Sequence, residues 1–322
     1  MPVLLAALAG LDFPGRVETC FYLDGCDDGS EALLRSAAAT SRWPIHVTVG
    51  ARQGGANAGR ARRAALAEGI ARLDGAAGSL FTTDADSAPA RDWITAGDAA
   101  LRVADVVAGR IVRHNGAADL VQSRIELYYD RLHAYRRRID PVAWEATDSH
   151  HCGGGANIAV GAATYLAVGG FRPLPHAEDA TFLDDAARAG FRVRRDAALV
   201  VETSSRRIGR AAHGLADALR WLDGGELPEV AHPHAVAWQA RGQAHARAAF
   251  ATIDTSASRT ALGSWIGLTE DHILGVARDC PNAEAFAMRV VPPPPGDPAP
   301  VPLGVAETVL AELEAIRCEA AA

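Results

Sequence analysis

The stretch "SLFTTDADSAPARDW", residues 79 to 93, sets two carboxylates, Asp84 and Asp86, one residue apart directly after a short apolar run, with Pro89 following. "SLFTTD" reads as a buried strand, and two like charges at its end repel unless something positive lies between them. Upstream, "VETCFYLD" (17–24) reads as a strand ending in the polar turn "DGCDDGS". "EALLRSAAA" follows as a helix, "PIHVTVG" (44–50) as a second strand and "AGRARRAALAEGIARL" (58–73) as a second helix. Strands separated by helices of this length predict an α/β fold, a doubly wound, mostly parallel sheet with helices on both faces. Ligands of such sheets sit at the carboxyl ends of the strands. The turns after Leu23 and Thr83 lie at those ends, and both are rich in aspartate.

Downstream, "ADVVAGRIVR" (104–113) is a further strand, followed by the long amphipathic stretch "ADLVQSRIELYYDRLHAYRRRID". "SHHCGGGANIAVGAATYLAVGGF" gives a glycine-rich turn, a short apolar strand and a helix closed by Gly169 and Gly170. "EDATFLDDAARAGFRVRRD" predicts a helix ending at Gly190 and then a strand. From about residue 228 alanine-rich helical segments dominate, "VPPPPGDPAPVP" (291–302) reads as a rigid linker, and "GVAETVLAELEAIR" forms a closing helix.

Composition narrows the function. The 322 residues are 49% hydrophobic and carry a net charge of −7, which argues against a nucleic-acid polymer as partner. All 32 positive side chains are arginine, so every mechanism that needs a lysine is excluded. Five cysteines, at 20, 26, 152, 280 and 318, form no C-x-x-C pair, which suggests a reducing compartment. No apolar run reaches the ~18 residues that span a bilayer, and the first residues lack a basic signal segment. The expectation is a cytoplasmic protein without a transmembrane segment.

A D-x-D at a strand end suits a hard divalent cation with oxygen ligands, Mg²⁺ or Mn²⁺, and such an ion holds a diphosphate. An Asx-rich turn is the plainer reading of that motif by itself. Farther on, Glu178 and Asp179 stand at the start of a helix, where the dipole favours their charge. A carboxylate apart from the metal pair is what displacement at a sugar carbon needs as general base. The same two residues also read as ordinary N-terminal helix charges.

Taken in order, "LDGCDDGS", "GGANAGRARRAAL", "LFTTDADSAPARDW", "GGGANIAVGAATYLAVGGFRP", "AEDATFLDDAARAGFRV" and "TSSRRIGRAAHG" resemble the family-2 glycosyltransferases of the GT-A fold over roughly residues 3 to 220. The resemblance implies a GT-A domain over 1–227, with a donor half to about residue 115 and an acceptor half from about 116, and a helical extension over 228–322. It implies transfer of a sugar from a nucleotide-diphosphate sugar to an acceptor hydroxyl, inverting and dependent on Mn²⁺ or Mg²⁺; the absence of a Q-x-x-R-W segment and of a membrane span adds the expectation of non-processive transfer. The resemblance leaves the acceptor open among a glycan, a lipid-linked molecule and a small molecule. Asp179 would be the base, with Glu178 positioning the base or the acceptor. Asp86 would bind the metal directly, and Asp84 would face the ribose or sugar and the metal. Asp24 would lie near the nucleobase and Arg62 near the nucleotide. Gly154, Gly155 and Asn157 would let the backbone approach the sugars. Arg206, Arg207 and Arg210 would steady the diphosphate, or lie on a solvated face. His213 would be a further metal ligand, or a structural histidine.

The sequence departs from the family at "MPVLLAALAGLDFPG", which looks like the helix after the family's first strand. Without that strand a gap between neighbouring strands, or a weakened base pocket, is expected. No Q-x-x-R-W segment is present. Two rivals remain open: a sugar-nucleotide-binding or scaffold protein of this fold without turnover, and a haloacid-dehalogenase-type phosphatase using D-x-D as nucleophile motif.

Overall fold

The apolar runs at 106–109 and 158–160 become strand segments buried on both faces, which is why they read as near-continuous apolar stretches. The computed structural model describes residues 1–51, 55–73, 77–114, 119–209, 214–225, 228–296 and 298–319. Strands β1 (Thr19–Asp24) and β2 (Ile45–Gly50) pair in parallel as a two-stranded sheet. A five-stranded sheet holds β3 (Ser79–Thr82), β4 (Ser87–Pro89), β5 (Val106–Arg113), β6 (Ile158–Gly161) and β7 (Val193–Thr203), in the order β3-β6-β5-β7-β4. Thus β1 and β3 belong to different sheets.

The α/β class holds, and the pairing is mixed where a mostly parallel sheet was expected. In the five-stranded sheet only β5 and β7 run parallel; β3–β6, β5–β6 and β4–β7 are antiparallel. The loop before β6 explains its direction. Ser149 and Cys152 lie against Arg110 and Ile111 in the later half of β5, so the chain starts β6 from that end.

Period-two alternation divides the core. Val106, Ala108, Ile158 and Val160 face a cluster built with α3 (Ala58–Ile70), α6 (Ala162–Val168) and α7 (Glu178–Arg188). Val107, Ala159, Leu199 and Val201 face the opposite cluster, with α1 (Pro2–Ala9) and α4 (Trp93–Leu101). Helices α2 (Ser30–Ala38) and α8 (Leu215–Asp223) lie outside these clusters, and their buried residues Leu34 and Leu219 pack elsewhere.

The helical C-terminal region leans on the sheet domain. Helices α9 (Pro233–Phe250) and α13 (Leu303–Glu319) pack on α5 (Leu120–Ile139), and α12 (Ala283–Val290) packs on α7 and α9. Helices α10 (Ser256–Ile266) and α11 (Glu270–Arg278) share an apolar cluster with α9 and α12. Strand β8 (Glu229–Val230) pairs with β9 (Val301–Pro302), so the proline-rich run is tied to the body at its end. No helix among the described residues is long and apolar enough to cross a membrane.

Candidate functional site

Strand β3 ends at Thr82 and delivers Asp84 and Asp86 on the following turn. Across from that turn, Asn57 caps α3 by accepting the Arg60 N–H at 2.7 Å. The first turns of α3 then carry Arg60 and Arg62 to the carboxyl ends of the strands. Arg62 Nη2 donates to Asp84 Oδ1 at 3.1 Å, Nε to Glu178 Oε1 at 3.3 Å and Nη1 to the Gly155 carbonyl at 2.6 Å. One guanidinium thereby joins the acidic turn, the glycine-rich turn and the start of α7.

Gly155 is dictated by that arrangement: a Cβ there would fall 2.5 Å from Arg62 Cζ. Its carbonyl also accepts Thr82 Oγ1 at 2.6 Å, and its N–H donates to Asp179 Oδ2 at 2.7 Å. Ala177, just before α7, takes φ 57, the left-handed region that a Cβ disfavours. That turn aims the first two carboxylates of α7 in different directions. Glu178 points inward, its side chain 5% exposed, onto Arg62. Burial pushes the Glu178 carboxyl above the ordinary range, outweighing the nearby guanidinium, and the Asp179 charge adds to the rise. Arg62 is itself held above its usual value, because Asp84 and Glu178 outweigh its own burial.

The positive partner of each strand-end aspartate is therefore an arginine. Asp84 meets Arg62, and Asp86 meets Arg206 at 3.0 Å. Asp24 accepts from Arg60 Nη2 at 3.1 Å. Two residues expected to touch ligand are committed elsewhere. Arg207 pairs with Asp119 and Asp223, bracing the ends of α5 and α8. Asn157 is fully buried. Its Oδ1 accepts Trp93 Nε1 at 2.8 Å, and its Nδ2 donates to the carbonyls of Arg110 and Leu199 at 2.9 and 2.8 Å. Those carbonyls flank the register shift between β5 and β7, so the amide fills hydrogen bonds that the ladder leaves open. Arg210 and His213 lie outside the described residues.

Among the described residues no group of three or more His, Cys, Asp or Glu could hold a metal. Asp84 and Asp86 nevertheless suit a hard cation that brings its other ligands with it. Mg²⁺ and its like are commonly held by one or two carboxylates plus phosphate oxygens and water. The Asp84 side chain is 44% exposed, and that of Arg206, over Asp86, 56%, so neither carboxylate is sealed.

Beside these residues opens a cavity of about 440 Å³, with Gly154 and Asp179 on one wall. Sequence reasoning missed its remaining walls, where Arg136, Arg137, Arg195 and Arg247 converge with Trp144 and Glu145. Burial and the charges of Arg137 and Arg195 push Arg136 down to about 9. Burial likewise lowers Arg195. His150, just before the glycine-rich turn, is buried with Nε2 unpartnered and pushed down to about 4 by burial. The runs "RRRID" (136–140) and "RVRRD" (192–196) were the available signal, but they read only as a helix end and a strand.

No family model matches this chain, and no curated protein matches it. Among solved structures it is similar to S. aureus TarS residues 1–349 in complex with UDP-GlcNAc, with 16% identity over 89% of this chain and 85% of that one, TM-score 0.49. It is also similar to the mannosyltransferase PcManGT from Pyrobaculum calidifontis in complex with GDP-Man and Mn²⁺, with 18% identity over 90% and 82%, TM-score 0.49. At that identity and score nothing about chemistry follows from the likeness, and function rests on the residues of the site.

Proposed function

We propose that this chain is a glycosyltransferase of the GT-A type that moves a hexose from a nucleotide-diphosphate sugar to an acceptor hydroxyl, with inversion and one sugar at a time. The observation that carries the reading is the Arg62 clasp. It brings Asp84, Glu178 and the Gly155 carbonyl, distant in sequence, around one cation beside an open cavity.

In this reading the acceptor hydroxyl enters the cavity and hydrogen-bonds to Asp179. Each carboxylate oxygen there accepts one backbone N–H and keeps a free lone pair. The hydroxyl oxygen attacks the anomeric carbon from the face opposite the diphosphate. A new C–O bond forms as the bond to the diphosphate oxygen breaks, and the proton passes to Asp179. Glu178 holds Arg62, which in turn fixes Gly155 and with it the Asp179 carboxylate. Arg206 stands ready to follow the charge that develops on the leaving group. Asp84 and Asp86 would hold the divalent cation, which when bound supplies positive charge to the diphosphate. Asp24 and Arg60 line the path toward the nucleobase.

The test is thermal denaturation of the chain with UDP-, GDP-, TDP- and ADP-sugars, each with and without Mn²⁺. A ligand that binds only the folded form raises the melting temperature. A rise with one nucleotide, present only with metal and accompanied by sugar transfer, supports the reading. Binding without transfer to any acceptor favours the non-catalytic alternative, for which the arginines on Asp84 and Asp86 are the resting counter-charges. Silence with all four overturns both.

A further inference from the structure

The cavity beside Asp179 draws together half-buried guanidinium groups that nothing in the transfer step requires. Four guanidinium groups face it: Arg136 and Arg137 from the last turn of α5, Arg195 from β7 and Arg247 from α9. Arg247 is satisfied, paired with Asp140 and with Glu284 at 2.7 Å. Arg137 is only loosely matched, 3.8 Å from Asp140 and 3.9 Å from Glu145, and its Nε is buried without a hydrogen-bond partner.

The other two are less satisfied still. Arg136 donates to the neutral amide oxygen of Gln243 at 2.9 Å, and Gln243 is itself fully buried. Arg195 has its Nε buried with no hydrogen-bond partner; Glu145, the nearby carboxylate whose charge acts on it, accepts its backbone N–H at 2.7 Å. Guanidinium groups held close together with hydrogen-bond donors left unused favour an oxyanion that brings acceptors to them. Asp140, Glu145 and Glu284 stand among the four arginines, and two further acids line the cavity: Asp179, which accepts the Gly155 and Ala180 N–H groups, and Asp184, which is taken by Arg188 on the helix surface at 2.6 Å.

We propose that this cavity is an oxyanion site, and that it selects acceptors carrying a phosphoryl or carboxyl group, held by Arg136 and Arg195 while the neighbouring hydroxyl reaches Asp179. The role in acceptor choice rests on the transferase reading; the anion site does not. Planar guanidinium groups bind both kinds of oxyanion through paired N–H donors. The cavity, at about 440 Å³, holds a sugar-sized group together with its anion. Trp144, its Nε1 donating to the Val193 carbonyl at 3.1 Å, also lines the cavity and adds apolar surface for such a molecule.

The experiment titrates inorganic phosphate and, separately, glucuronate into the full chain by calorimetry, with glucose as the neutral control. Arg195→Gln and Arg136→Gln are compared with wild type and with Arg220→Gln, an exposed arginine elsewhere. Binding of one or both anions, weakened ~10-fold or more by either cavity variant and unchanged by Arg220→Gln, is expected from the loss of a charge-assisted hydrogen bond. Phosphate alone or glucuronate alone binding identifies which oxyanion the acceptor carries. Melting temperature guards against misfolding. A cavity variant should melt no lower than wild type without anion and should lose the anion-dependent rise, whereas a purely structural arginine would lower the melting temperature throughout. Absence of anion binding to wild type, or equal binding by all variants, overturns the proposal. The donor screen is independent. Anion binding with no donor binding would leave the oxyanion site standing and remove its role in acceptor choice, while donor binding without anion binding would leave the transferase reading standing and overturn the oxyanion site.

Discussion

Arg62→Gln tests the clasp directly. The wild-type guanidinium is 14% exposed and faces two carboxylates of unequal burial, Asp84 at 44% and Glu178 at 5%. The Asp84 contact is largely solvated, and a pair of that kind contributes ~0–1 kcal/mol. The Glu178 contact is different. Removing its partner strands a buried carboxylate, and breaking a buried pair typically costs about 3–5 kcal/mol. The cavity at the site lets water approach, so a loss of ~2–4 kcal/mol at pH 8 is expected for the variant. The loss should shrink in acid. Glu178 already sits above its ordinary value through burial, and without Arg62 it rises further. A carboxyl raised in the folded state binds its proton more tightly there than in the unfolded chain. Its favourable contribution is therefore full below the unfolded value and is lost as pH rises through the folded one. Urea denaturation at pH 5 and pH 8 measures both ends. Adding Glu178→Gln to Arg62→Gln should recover most of the loss at pH 8, because the stranded charge is then gone. A loss below ~1 kcal/mol at pH 8, or no recovery in the double variant, would refute the assignment of Arg62 as the cation that holds Glu178.

Four further outcomes are expected. Asp179→Asn should keep the donor-dependent melting shift and slow transfer by roughly 100-fold or more, the scale of a lost general base; transfer at the wild-type rate removes Asp179 from that role. Asp86→Ala should abolish the Mn²⁺-dependent part of the donor shift, and an unchanged shift would place the cation elsewhere. Gly155→Ala should push Arg62 out of its seat and cost ~1–3 kcal/mol by overpacking, with donor binding lost as well; a variant as stable and active as wild type contradicts the close approach. Asn157→Ala should lose ~2–4 kcal/mol in urea denaturation, because Trp93 and two carbonyls are left buried without partners, and an unaffected stability would show that the amide serves a ligand instead.

Several elements were readable because their signals are local. The strand "VETCFYLD" became β1, the helix at 58–73 became α3 with Asn57 as its cap, and "EDATFLDDAARAG" became α7 with both acids in its first turn. The short β4 at Ser87–Pro89 and the helix beginning at Trp93 went unread, since three residues carry too little periodicity and a proline argues against a strand. Pro89 is accommodated there because β4 is the edge of its sheet. The run at 291–302 read as a linker throughout, yet its last two residues pair with β8, a contact set by packing far along the chain.

For the site, the sequence by itself determined which residue types stand at the strand ends and helix starts. Periodicity, turn chemistry and caps are decided within a few residues, and they placed Asp24, Asp84, Glu178 and Asp179 at the carboxyl edge of an α/β fold. Only the tertiary structure decided what those charges meet. Arg62 reaches Glu178 across 116 positions and Asp84 across 22, Arg206 closes on Asp86, and Asn157 is drawn into the sheet at a register shift. Four arginines from two helices and a strand converge on one cavity that no local pattern announces. An arginine's partner depends on which distant segment burial presses against it, and in a chain whose 32 cations are all arginine the sequence offers no way to tell the solvated ones from the buried.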